Sequence, residues 1–177
     1  VQPEKILALT FTAKAAAEMR ERVQALFPNA GVRLCTFHSL ALYMLKCKIP
    51  CRKADAPHGV VEKFAYEMLG FKKMPVPTES AGRDFLQKLS KLDLKKSGLS
   101  RENLFADGLS TSMLAKIKPL QDEVLMSGQV VFEDLIYLAI RLLEQFENAR
   151  DYFQDQWHEI LVDEYQDINP TQYRLVK

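Results

Sequence analysis

The sequence predicts an α/β fold in which a parallel sheet flanked by helices is interrupted by a mostly helical insertion. Short apolar runs of strand-forming residues alternate with segments of helical period in residues 1–45 and again in residues 129–177. Residues 46–128 contain most of the prolines and glycines, many lysines and further helical stretches. We therefore expect two parts of one α/β domain, residues 1–45 and 129–177, separated by an insertion of residues 46–128.

The first part predicts a strand, a helix, a second strand and a second helix. Residues 5–12 (KILALTFT) are typical of a buried strand, and helical period begins at Ala13 and ends at the segment 28–31 (PNAG). The apolar side chains of this helix share one side: Ala16, Met19, Val23, Leu26 and Phe27. Residues 32–36 (VRLCT) predict the second strand, and an apolar helix follows over about residues 37–45. This order predicts a parallel sheet.

Helices and one strand that ends in carboxylates are predicted in the rest of the chain. Residues 60–69 and 84–92 show helical stretches inside the insertion, and residues 131–146 carry a wide apolar face at helical period. Residues 159–164 (EILVDE) form an apolar strand with two acidic residues at its end. Residues 169–172 (NPTQ) then predict a turn and a cap that open a helix.

The composition indicates a globular domain that works inside the cell. With 47% hydrophobic and 27% charged residues, the chain has the balance of a folded soluble protein. It contains no apolar run of membrane-spanning length and no secretory pattern, so we expect no membrane partner and an intracellular location, bacterial cytoplasm or a nucleus or organelle. Cys35, Cys47 and Cys51 lack a CxxC pair and indicate reduced thiols, and the spacing of Cys47, Cys51, His38 and His58 matches no usual zinc site.

A net charge of +1 conceals a strong internal asymmetry. Residues 72–118 hold 10 Lys and Arg against 5 Asp and Glu, whereas residues 119–177 hold 4 against 12. A basic middle suits contact with a polyanion such as nucleic acid, and an acidic end suits a divalent cation. A solvated lysine-rich helix face has the same charge, so the asymmetry alone does not choose between these interpretations.

The carboxylates Asp163 and Glu164 directly follow the predicted strand of the last part. Ligands of open parallel sheets bind outside the carboxyl ends of the strands, and adjacent strand residues point in opposite directions. One carboxylate could therefore face Mg²⁺ on a nucleoside triphosphate while the other orients the attacking water. A solvated strand exit before a turn is the simpler alternative. Gln166 and Asp167 favour the chemical interpretation because they add an amide and a carboxylate within reach.

Four segments resemble, in order, motifs of the UvrD/Rep/PcrA-like superfamily 1 helicases. Residues 160–173 (ILVDEYQDINPTQY) resemble motif II, usually written ILVDEFQDTN, and the two departures remove no catalytic group. Residues 9–23 (LTFTAKAAAEMRERV) resemble motif Ia, and residues 35–46 (CTFHSLALYMLK) resemble the following TFHS or TFHG motif. Residues 130–138 (VVFEDLIYL) resemble the DF-L segment that returns the chain to the motor domain. Together they are more specific than any one motif.

The resemblance implies a partial RecA-like P-loop NTPase domain that uses ATP and Mg²⁺. By resemblance, Asp163 holds Mg²⁺ through its water shell and Glu164 activates the hydrolytic water. Gln166 and Asp167 would help to couple the nucleotide state to neighbouring parts of the motor. The implied activity is 3′ to 5′ translocation on single-stranded DNA, which drives duplex unwinding in repair, replication or recombination.

The resemblance also implies DNA contacts on single strands and on junctions of single- and double-stranded DNA. Phe11 and Thr12 match motif Ia, whose aromatic residue touches bases, and Thr36 and His38 match the polar contacts of the next motif. Without the family, Phe11 is more simply a core residue and His38 a cap or a buried imidazole. Ala13 replaces the usual asparagine of TFTNKAA, so any phosphate contact by that amide is lost.

The motif GxxxxGK[ST], which cradles the phosphates in P-loop enzymes, does not occur in the sequence. We therefore expect a fragment of a larger helicase, with no ATP-dependent unwinding and at most weak, salt-sensitive DNA binding of its own. One alternative is the motor part of an AddA/RecB-like helicase-nuclease. Another is a non-catalytic module that binds nucleic acid or docks a partner through the basic residues 72–118.

Overall fold

The structure is a computed structural model that describes residues 2–53, 56–91 and 110–177. Two short 3₁₀ turns, Pro3–Lys5 and Tyr165–Asp167, accompany the regular elements. In chain order the helices and strands are β1 (Ile6–Thr10), α1 (Ala13–Leu26), β2 (Arg33–Thr36), α2 (Phe37–Lys46), β3 (Lys48–Lys53), β4 (Ala56–Phe64), α3 (Ala65–Met68), β5 (Val76–Pro77), α4 (Glu79–Lys91), α5 (Thr111–Ser127), β6 (Gln129–Val130), α6 (Asp134–Gln145), α7 (Glu147–Gln156), β7 (Glu159–Val162) and α8 (Pro170–Val176).

A three-stranded parallel sheet with the order β2-β1-β7 joins the two ends of the chain. The central strand β1 is buried from Leu7 to Thr10, because it has a neighbouring strand on each side. The predicted α/β class with a parallel sheet and helices is confirmed. Helices α1 and α2 begin where the change from strand to helical period predicts them.

The strand β7 is less buried than its apolar sequence would suggest. It pairs with β1 on one side, and among the described residues no strand pairs with its other side. The side chains of Ile160 and Leu161 are 41% and 58% exposed, and they line two different open grooves. An apolar sequence therefore lies at the edge of this sheet, where its local pattern alone predicts burial.

Helix α1 also buries less than its apolar pattern predicts. Its hydroxyl cap is regular, since Thr12 Oγ1 accepts a hydrogen bond from the Ala15 N–H at 3.0 Å. Within the helix only Ala16 is buried, while Leu26 and Phe27 at its carboxyl end are 74% and 64% exposed. These apolar residues line an open groove of about 890 Å³ that runs beside the sheet.

The main core is built around α6, whose wide apolar face was predicted. Leu135, Leu138, Ala139 and Leu142 are fully buried, and α2 contributes Phe37 and Leu40 to the same cluster. Ile117, Leu120 and Val124 of α5 belong to that cluster as well. One continuous core therefore runs through the two ends of the chain and its middle segment.

The middle segment, residues 46–128, contains strands as well as helices. Strands β3 and β4 form an antiparallel hairpin, with Ile49 opposite Lys63 and Cys51 opposite Val61. The helix predicted over residues 60–69 is therefore wrong for its first half, because β-branched valines favour the pleated pairing with β3. The helix predicted over residues 84–92 corresponds to α4, while residues 92–109 of the basic region lie outside the described residues.

A glycine fixes the turn between α5 and β6. Gly128 adopts φ +70°, the left-handed conformation common after a helix end. A Cβ atom there would lie 2.9 Å from the carbonyl oxygen of Met74, so a side chain has no room. The close approach lets the Val76 N–H donate to the Gly128 carbonyl at 2.8 Å.

Among the described residues, no helix is long and apolar enough to cross a membrane.

Candidate functional site

The carboxyl ends of the three parallel strands lie side by side. Leu9 is in register with Cys35 of β2 and with Val162 of β7, and Thr10 is in register with Thr36. The residues that follow each strand therefore leave the sheet at one common edge. All eight residues that the sequence singled out lie at this edge or within five residues of a strand end.

Asp163 is held against the central strand by its backbone. Its N–H donates to the carbonyl of Leu9 at 2.9 Å, which continues the pairing of β7 with β1 by one residue. The side chain is half-buried, whereas the neighbouring Glu164 is exposed. The first carboxylate thus leaves the sheet from a fixed backbone position.

Glu164 has φ +48° and ψ +48°, and it is the one non-glycine residue with positive φ among those described. A left-handed conformation costs an L-residue about 1–2 kcal/mol. The chain turns sharply here, because the Asp167 N–H donates to the Glu164 carbonyl at 2.8 Å. The expected alternation of an extended strand is therefore wrong at this point, and a turn sets the direction of the second carboxylate.

The 3₁₀ turn Tyr165–Asp167 brings an amide to the exposed carboxylate. Gln166 Nε2 donates to Glu164 Oε2. The predicted cap follows at once: Asn169 Oδ1 accepts from the Gln172 N–H at 2.8 Å, and Gln172 Oε1 accepts from the Asn169 N–H at 3.0 Å. The loop after β7 is thus bounded by a strand pairing before it and by a capping box after it.

The sequence allows two interpretations of Phe11, a contact to DNA bases or a core residue, and the structure shows a residue that is partly buried and partly exposed. It is 36% exposed, and its ring centroid lies 5.9 Å from that of the buried Phe37. Thr12, the next residue, uses its hydroxyl to cap α1, and its carbonyl accepts from Thr10 Oγ1 at 3.0 Å. Phe11 therefore lies near the core through Phe37 and keeps an accessible part.

Thr36 and His38 begin α2 at the same sheet edge. Thr36 Oγ1 accepts from the Ser39 N–H at 3.2 Å, so this hydroxyl also serves as a helix cap. The ring of His38 stacks on that of Phe132, with centroids 4.4 Å apart. Burial lowers the pKa of His38 below its ordinary value, against a smaller opposite effect of Glu133. This shift favours the neutral imidazole, which has one N–H donor and one acceptor nitrogen.

The carboxylates that follow β7 suit Mg²⁺, which needs few protein ligands, better than a metal ion that is held entirely by protein side chains. Among the described residues, no group of three His, Cys, Asp or Glu side chains is arranged to hold a metal ion. Mg²⁺ is commonly held by one or two carboxylates together with substrate phosphates and water. The half-buried Asp163 has a carboxylate of the type that this coordination uses. The side chain of His58, one of the four residues weighed for zinc, lies outside the described set.

The family described as UvrD/REP helicase N-terminal domain matches residues 1–177. This chain belongs to the UvrD/REP helicase family. It is 32% identical, over an alignment of 197 residues, to the ATP-dependent DNA helicase PcrA of Staphylococcus aureus strains Mu50 and NCTC 8325. The same identity is found with the ATP-dependent DNA helicase PcrA of Staphylococcus epidermidis. Each alignment covers 100% of this chain and 25% of the relative, so the chain spans about a quarter of their length.

Within this UvrD/REP helicase domain the structure adds one residue that the sequence reasoning did not select. Phe132 is 54% exposed, stacks on His38 and lines an open groove of about 780 Å³. Tyr137, Thr171 and Arg174 line the same groove. The position of Phe132 in the DF-L segment could have marked it as a candidate. Its contact with His38 could not be predicted, because the two residues are far apart in sequence.

Proposed function

We propose that the chain forms part of the first, RecA-like motor domain of an ATP-dependent DNA helicase. In this proposal residues 1–45 and 129–177 belong to the motor, and residues 46–128 are an accessory insertion. The observation that carries it is the position of Asp163 and Glu164 directly after β7, beside the carboxyl ends of β1 and β2. Ligand-binding residues of open parallel sheets occupy this edge.

The nucleotide chemistry is divided between the two carboxylates. Asp163 would hold Mg²⁺, which when bound neutralises charge on the phosphates of ATP. Glu164 would accept a hydrogen bond from the attacking water and orient it toward the terminal phosphate. Asp167, exposed in the same turn, would face the nucleotide or the neighbouring part of the motor, while Gln166 contacts Glu164.

In this proposal the nucleic-acid contacts lie at the carboxyl ends of β1 and β2, at the start of α2, and in the segment between β6 and α6. Phe11 and Phe132 present partly exposed rings that could stack on any base. Thr12, Thr36 and His38 offer hydroxyl and imidazole groups to the backbone of the strand. Such contacts grip DNA without reading its sequence, which suits translocation on single strands and at junctions with duplex DNA.

The proposed activity belongs to a longer intracellular protein. The relatives are about four times as long as the part matched by this chain, and the 177 residues contain no GxxxxGK[ST] segment. Phosphoryl transfer depends on several charged groups that act together. We therefore assign the phosphate-binding loop and the opposite wall of the nucleotide site to other parts of that protein, and we expect this chain alone to be inactive.

Strand-displacement assays test the proposed activity and its direction. With ATP and Mg²⁺, the full-length protein is expected to unwind duplexes that carry a 3′ single-stranded tail and to leave 5′-tailed duplexes intact. Reactions without ATP, and blunt duplexes of the same sequence, serve as controls. Unwinding from the 5′ tail alone would contradict the polarity, and no unwinding of any substrate would contradict the helicase proposal.

Substitution of Phe132 tests the proposed DNA contact. Because stacking of a base on an aromatic ring contributes roughly 1–3 kcal/mol, Phe132→Ala is expected to raise the Kd for oligo(dT) by about 5- to 150-fold. Fluorescence anisotropy of the full-length protein at one fixed salt concentration measures this change. Phe27→Ala is the matched control, since Phe27 is 64% exposed at the far end of α1. Equal affinities for the two variants would exclude Phe132 from the DNA site.

A further inference from the structure

We propose that Gln166 is a positioning residue for Glu164, an inference that rests on the ATPase function proposed above. Its side-chain amide holds the Glu164 carboxylate in one orientation and leaves the second carboxylate oxygen to accept a hydrogen bond from the attacking water. Gln166 itself touches neither nucleotide nor water in this role.

The backbone creates the contact between these two side chains. In an extended strand, residues two apart share a face and lie about 7 Å apart along the chain. The left-handed conformation of Glu164 and the following 3₁₀ turn fold the chain back. The turn is closed by the hydrogen bond from the Asp167 N–H to the Glu164 carbonyl, 2.8 Å long. The turn therefore places the Gln166 side chain beside the Glu164 carboxylate.

The side-chain geometry gives each carboxylate oxygen a different role. Gln166 Nε2 donates to Glu164 Oε2, and among the described residues no side chain or N–H donates to Oε1. An exposed glutamate otherwise samples many rotamers, and ordering it at every turnover costs conformational entropy. A carboxylate already held by a neighbouring amide avoids that cost, which is the general advantage of preorganised groups.

The loop around the pair is fixed at both ends, so the contact has a defined position relative to the sheet. Asp163 is joined to β1 by its hydrogen bond to Leu9 at 2.9 Å. Beyond the turn, Asn169 and Gln172 form the capping box that begins α8. A reorientation of Gln166 would therefore move the Glu164 carboxylate without disturbing the strand or the helix.

The test uses two variants of the full-length protein. Gln166→Met has similar length and no donor, and Gln166→Glu keeps the shape but places a second carboxylate beside the first. We expect kcat for DNA-stimulated ATP hydrolysis to fall on the order of tenfold in Gln166→Met and further in Gln166→Glu. The KM for ATP should not change, because Gln166 does not touch the nucleotide in this role, and the melting temperature should not change, because both side chains are exposed. Gln24→Met, at an exposed glutamine of α1, is the control.

A double variant separates positioning from an independent role. In single-turnover assays, Gln166→Met added to Glu164→Gln should slow hydrolysis no further, because the residue acts only through Glu164. The inference is overturned if Gln166→Met slows hydrolysis in the Glu164→Gln background by the same factor as in the wild-type background. It is also overturned if Gln166→Met keeps the wild-type kcat, or if its KM for ATP rises as its kcat falls. If Glu164→Gln alone keeps wild-type kcat, the proposed function fails first, and the two failures are thus distinguished.

Discussion

Glu164→Gln in the full-length protein is expected to lower kcat for DNA-stimulated ATP hydrolysis by about 100- to 10,000-fold, the range that a positioned general base contributes. The amide has nearly the same shape as the carboxylate but accepts no proton. ATP binding and folding should be retained, because Glu164 is exposed and its backbone makes the turn contact. Steady-state hydrolysis and equilibrium nucleotide binding, measured on the same preparation, provide the comparison.

Two controls make this result specific to the strand end. Glu159→Gln changes an exposed glutamate at the other end of β7 and should leave kcat unchanged. The 177-residue chain itself should hydrolyse no ATP above background. A Glu164→Gln enzyme with nearly wild-type turnover would remove Glu164 from the reaction.

Leu138→Ala is expected to lower the free energy of unfolding of the chain by about 2–5 kcal/mol, the usual cost of a large-to-small change in a packed core. Leu138 is completely buried on α6, within the cluster that α2 and α5 share. The substitution leaves a cavity in that cluster, while alanine keeps the helical backbone favourable. Urea denaturation followed by circular dichroism measures the difference.

Leu114→Ala is the matched control for this change. Leu114 is also a helical leucine, on α5, but it is 41% exposed. Its replacement should cost much less, because little packing is lost. Similar losses in the two variants would show that the α6 cluster is not the main source of stability.

The sequence predicted the order of elements at both ends of the chain because several local signals agree there. Thr12 and Thr36 each end a strand segment and cap the helix that follows, as their hydrogen bonds to the helix N–H groups show. Asn169 and Gln172 combine into a capping box that is readable from four residues. Agreement between propensity, period and caps makes these boundaries predictable.

Features that depend on contacts between residues far apart in sequence were harder to predict from local sequence patterns. The hairpin of β3 and β4 arises from pairing across the middle segment, where local helical period misled the prediction for Val60 and the residues that follow. The exposure of Ile160 and Leu161 in β7 depends on how far other elements cover the two faces of the sheet and not on their own apolar character. The stack of His38 on Phe132 likewise joins two segments that only folding brings together.

The direction of the Glu164 side chain shows a different limit. Strand alternation predicted opposite directions for the two carboxylates, but a left-handed residue replaced the extended conformation. Glutamate has no local preference for that conformation, so no propensity signals it. The presence of the acidic pair was readable from the sequence, while its geometry required the structure.

The open side of β7 has a practical consequence for work with this domain alone. Within the part of the chain that the structure describes, no strand pairs with the outer side of β7, and Ile160 and Leu161 of this strand are exposed; such an edge is a template onto which another copy can add a strand. At the concentrations of a crystallisation drop or a refolding mixture, the expected hazard is edge-to-edge aggregation. A lysine in place of Leu161, a gatekeeper of the kind that natural edge strands carry, would protect the preparation without touching Asp163 or Glu164.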